Sequence, residues 1–160
     1  ETRHDDLRDL ADFYDHTSGG LMLEAIDLTP EKLECDELSK QYSKEGLIRQ
    51  RQIFSLKNDG RLKAVFLVNT SNVGLNLSDI TNCVKVFVTD SEQLNAGLLK
   101  TAVSVVAEIS GKDDFPVLLY PAAFADEQQI DYEKTYNLWV CSLQYSDEYF
   151  RYLGRLLRFI

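Results

Sequence analysis

Proton transfer, nucleophilic attack and metal binding are mostly done by histidine, cysteine, serine and paired carboxylates. This chain of 160 residues sets out few of them in a recognisable pattern. His4 and His16 are its two histidines, both close to the N-terminus. His16 opens the polar run His16-Thr17-Ser18-Gly19-Gly20, where a histidine reads as a loop or cap residue rather than a base. Thr17-Ser18-Gly19-Gly20 carries two glycines but no Gly-Lys-Ser/Thr ending, so it reads as a helix stop able at most to line a cleft, not as a phosphate loop. Cys35, Cys83 and Cys141 lie far apart, with no Cys-x-x-Cys pair and no histidine nearby. That spacing argues against a zinc site and a disulfide framework and favours a reducing, cytoplasmic setting. Asp113-Asp114 and Asp126-Glu127 are acidic pairs at turns, which solvent ordinarily claims. Neither His-Glu-x-x-His nor Gly-x-Ser-x-Gly occurs, so no hydrolase signature is present.

The elements that would position any site are read from periodicity. Leu7, Leu10, Ala11 and Tyr14 form a helical stripe over residues 3–15, which the polar run at His16 should end. Leu21 to Ile26 is a second short apolar stretch. Thr29-Pro30 then suits the start of a third helical segment reaching about Gly46. Arg49 to Lys57 and Arg61 to Thr70 are rich in strand formers and flank Asn58-Asp59-Gly60, a hairpin signal. Cys83 to Val88 reads as a strand, and Leu94, Leu98, Ala102, Val105 and Ile109 follow at helical spacing. Phe115 to Tyr120 and Tyr136 to Leu143, with Trp139 near its middle, read as further strands separated by a polar, partly helical stretch. Ser146 can cap a last amphipathic helix through Tyr149, Leu153, Leu156 and Leu157. A hairpin followed by a strand-helix-strand crossover implies a mixed central sheet with flanking helices, an α/β fold.

Composition bounds the partners. The net charge of -9 opposes the polyanion attraction on which nucleic-acid binding depends. The lysine and arginine cluster at Arg151, Arg155 and Arg158 recurs at helical spacing among leucines, as on a solvated helix face. No apolar run approaches the ~20 residues of a membrane span. Residues 1–160 are expected to form one domain. The chain begins at Glu1 and its one methionine is Met22, so it is expected to be a piece of a longer protein whose other domains are its nearest partners.

In this order of elements the chain resembles the GNAT N-acyltransferases, in which two helices precede a hairpin and a central strand that feeds the cofactor-binding helix. The resemblance covers nearly the whole chain. The family's turn, Gln/Arg-x-x-Gly-x-Gly/Ala, aligns with Gln93, Leu94, Asn95, Ala96, Gly97 and Leu98. Ala96 and Leu98 replace the two small positions that let backbone N–H groups approach phosphate, and Gly97 is one place out of register. Asp90 and Glu92 add negative charge beside the turn. Tyr132-Glu133-Lys134 resembles the family's Tyr-Glu-Lys segment. The resemblance implies acetyl-CoA or another acyl-CoA as donor and an amine as acceptor. It places pantetheine along Val86, Phe87 and Val88, pyrophosphate at residues 93–98, and Tyr132 as general acid toward the departing thiolate. Two functions follow from it: an N-acyltransferase, or a GNAT-like domain without catalysis that serves as a sensory, regulatory or protein-interaction module. Another small α/β sensor fold, PAS- or GAF-like, also fits the coarse order.

The hairpin is the most local of these expectations. Backbone chemical shifts across residues 50–68 should report two antiparallel strands around a turn, and helical or disordered shifts there would refute it.

Overall fold

The computed structural model describes residues 2–33, 37–72, 82–90, 92, 94–111, 115–137 and 151. In chain order these give α1 (His4–Ser18), α2 (Leu21–Ala25), a 3-10 turn (Pro30–Lys32), α3 (Glu37–Lys44), β1 (Arg49–Asn58), β2 (Arg61–Ser71), β3 (Val84–Val88), α4 (Ala96–Ile109), β4 (Val117–Tyr120) and α5 (Ala122–Glu127). The strands form a four-stranded sheet in the order β1-β2-β3-β4. β1 and β3 both run antiparallel to β2, and β4 runs parallel to β3. The fold is therefore α/β with a mixed sheet, as the hairpin and crossover require.

The hairpin turns on Asp59 (φ 49°) and Gly60 (φ 77°). Two successive left-handed residues are what a two-residue turn needs to match the twist of its strands, and Asp-Gly supplies them at low steric cost. Beyond the turn, the register steps from Leu56 opposite Ala64 to Lys57 opposite Leu62. Lys63 is thus an extra residue, a bulge. It reverses the alternation of β2. Ala64, Phe66 and Val68 pack on one face of the sheet, whereas Leu62 joins Val65 and Leu67 on the other.

Period-two alternation divides the core into two layers. On one face, Val84, Val86 and Val88 of β3 meet Leu94, Leu99 and Val106 of the α4 region and Phe124 of α5. On the other, Phe87 meets Leu7, Leu10 and Tyr14 of α1, together with Leu23 and Leu28. Each fully buried side chain of this kind contributes about 1.5–3 kcal/mol.

α1 is pinned at both ends. At its start the Arg3 backbone N–H donates to the Asp6 carboxylate at 3.1 Å, and Lys57 of β1 forms an ion pair with the same buried carboxylate. At its end Gly19 adopts φ 75°, and the Gly19 and Gly20 N–H groups donate to the carbonyls of Asp15 and Tyr14. The helix ends at Ser18, inside the polar run from His16 to Gly20 that the sequence suggests as its stop. The hydroxyls of Thr17 and Ser18 donate back to the carbonyls of Phe13 and Tyr14 at 2.7 and 3.3 Å, and His16 Nδ1 lies 2.7 Å from the Asp12 carbonyl oxygen. Such i−4 bonds let polar residues remain helical.

Phe115 and Pro116 precede β4 rather than belonging to it. Of the strand expected over Tyr136 to Leu143, the two described residues, Tyr136 and Asn137, are exposed, irregular backbone. Residues 138–143 lie outside the described residues, as do Cys35, Cys141, Asp113-Asp114, Arg155, Arg158 and the last helix apart from an exposed Arg151. Among the described residues, no helix is long and apolar enough to cross a membrane.

Val86 is fully buried at the centre of the sheet. Val86→Asp would bury an unpaired charge and should remove on the order of 4 kcal/mol or more, so the variant should lack a cooperative melt. A soluble variant melting near the parent temperature would contradict this placement. Gly60→Ala should cost about 1 kcal/mol through its left-handed φ, read as a lower urea midpoint with unchanged slope.

Candidate functional site

In an open sheet with a strand-helix-strand crossover, ligands meet the carboxyl ends of the parallel strands. Here those ends are Val88 on β3 and Tyr120 on β4. The two strands pair from Val84 opposite Val117 to Phe87 opposite Tyr120 and then part. Pro121 follows, with no N–H to continue the ladder. A fork results, and Val88 at its base is paired only with Ala64 of β2.

Tyr14 of α1 fills this fork. Its hydroxyl donates to the Val88 carbonyl oxygen at 2.7 Å, with the Tyr120 carbonyl oxygen 3.4 Å away. Its ring packs against Tyr120 at 5.3 Å and edge-on to Phe87 at 6.3 Å, and the residue has no exposed surface. Burial, with a smaller contribution from Tyr120, pushes the phenol far above its ordinary pKa. It therefore remains a hydrogen-bond donor at any physiological pH.

The exit from β3 is held by the bulge. The Thr89 N–H and hydroxyl donate to the carbonyls of Lys63 and Leu62 at 2.9 and 3.0 Å. The ammonium of Lys63, a residue only 1% exposed, pairs with Asp90. The other Asp90 oxygen accepts the Glu92 N–H at 3.0 Å. Lys63 first, and then this backbone bond, hold the Asp90 carboxyl below the usual carboxylate range.

The turn into α4 contains most of the expected cofactor residues. Gln93 lies outside the described residues. Leu94 is buried in the core. Asn95 caps the helix, its side-chain oxygen accepting the Leu98 N–H at 2.9 Å. Ala96 opens the helix, and Gly97 is exposed, with room for a Cβ only 3.3 Å from Asn95 Oδ1. Leu98 packs against the sheet-side cluster. Val86, Phe87 and Val88 have buried side chains, and the first two are paired with strands on both sides.

Tyr132 is 55% exposed, and its hydroxyl donates to Asp126 of α5 at 3.1 Å. The tyrosine at the fork is Tyr14. The sequence placed Tyr14 on an apolar helix face, where its hydroxyl has to find a buried partner, and that requirement was the available signal. Lys63 carried another: a lysine within the run Leu62 to Val68 breaks the strand's apolar continuity and marks the bulge.

No family model, no curated protein and no solved structure matches this chain. The geometry of the fork therefore carries the functional argument.

Tyr14→Phe keeps the ring and removes the donor, leaving the Val88 carbonyl without its partner, and should cost about 1–3 kcal/mol in urea unfolding. No change in stability would show that the hydroxyl bond is dispensable. The carboxyls give a pH signature. For Asp6, burial alone would raise the pKa, but Lys57, the Arg3 N–H and Ser55 together bring it below the ordinary value, and Asp90 is lowered as described. A lowered folded pKa contributes stability above the unfolded value of about 3.9, and that stability is lost as pH falls through the folded values. The melting temperature should therefore drop below about pH 4, and Lys63→Met should make that acid limb shallower.

Proposed function

We propose that this chain is a GNAT-like domain acting as a regulatory or protein-interaction module rather than as an N-acyltransferase. The order of helices, hairpin and crossover supports the GNAT-like layout. The observation that carries the non-catalytic reading is Tyr14, whose buried hydroxyl donates to the Val88 carbonyl inside the fork. Pantetheine laid along β3 would meet accessible main chain only beyond Phe87, where pairing with β4 ends, and there Tyr14 already occupies the acceptor.

The pyrophosphate end supports the same reading. An anion at a helix N-terminus needs backbone N–H groups and a favourable potential. At α4 the Leu98 N–H is taken by the Asn95 side chain, and Asp90 and Glu92 stand just before the helix. The Asp90 charge is offset by Lys63, and the charge of Glu92 opposes a phosphate-rich cofactor. The acyltransferase alternative, with acyl-CoA as donor, an amine as acceptor and Tyr132 as acid, requires that phenol near the departing thiolate. The Tyr132 hydroxyl instead faces Asp126 at the surface.

Calorimetric titration with acetyl-CoA and longer acyl-CoAs tests the proposal. The chain should show no saturable binding at concentrations up to about 1 mM, where a binding free energy near -4 kcal/mol would be detected. Leu98→Ala should not create binding, because that side chain leans on the core rather than over the helix start. Micromolar acetyl-CoA binding with amide shifts at residues 94–98 would overturn the proposal and favour the transferase.

A further inference from the structure

We draw no further inference here: the strongest candidate, the open groove beside α1 lined by Arg8, Asp12, Asp15, Glu24 and Glu31, is a cluster of acidic side chains around one arginine, and nothing in the structure shows what covers it.

Discussion

A phenol buried with no exposed surface must place its hydroxyl on an acceptor, and a strand-end carbonyl without a ladder partner must find a donor. In this domain the two requirements meet at Tyr14 and Val88. The contact joins residues 74 positions apart and fixes how α1 lies across the sheet. The other end of α1 is held by the Asp6–Lys57 pair on β1. Between these two anchors Leu7 and Leu10 seal one face of the sheet. The helix, the hairpin and the parallel strands thus depend on one another through polar contacts at the rim of an apolar layer.

The same economy governs the carboxyl end of β3. The bulge at Lys63 supplies two carbonyls to Thr89 and an ammonium to Asp90, and Asp90 in turn receives the Glu92 N–H. Asn95 then takes the Leu98 N–H in the first turn of α4. A binding site for an anionic, amide-bearing cofactor requires the opposite, donors and acceptors held in place and left for the ligand. Here side chains of the chain itself meet the Val88 carbonyl and the Leu98 N–H, which stabilises the fold at the carboxyl end of β3.

The parts of this arrangement that were legible in the sequence depend on near neighbours. Asp59-Gly60 specifies its turn through the φ angles those residues tolerate, and Val84 to Val88 and the helix ending at Ile109 announce themselves by period. The end of α1 falls in the run from His16 to Gly20 that reads as a helix stop, and what residue type alone does not reveal is that Thr17, Ser18 and His16 stay helical by turning back onto carbonyls four residues earlier. The fork was hidden for a different reason. Tyr14 contributes an ordinary apolar position to a helical stripe, and only the packing of α1 over β3 and β4 gives its hydroxyl an address. Tyr132 drew attention through a local three-residue likeness, and its exposed hydroxyl bonds Asp126, a contact that the likeness does not reveal. Leu98 stands in the first turn of α4, half-buried against the sheet-side cluster.

The Tyr14 hydroxyl occupies the fork and bonds the Val88 carbonyl. It can be observed directly as the Tyr14 hydroxyl proton in a nuclear magnetic resonance spectrum. Protected from solvent and bonded to a carbonyl, it should exchange slowly enough to be seen, show a cross-peak to the backbone around Val88, and stay unshifted in excess acetyl-CoA. A hydroxyl proton lost to rapid exchange, or a Val88 resonance that moves as acetyl-CoA is added, would contradict the account.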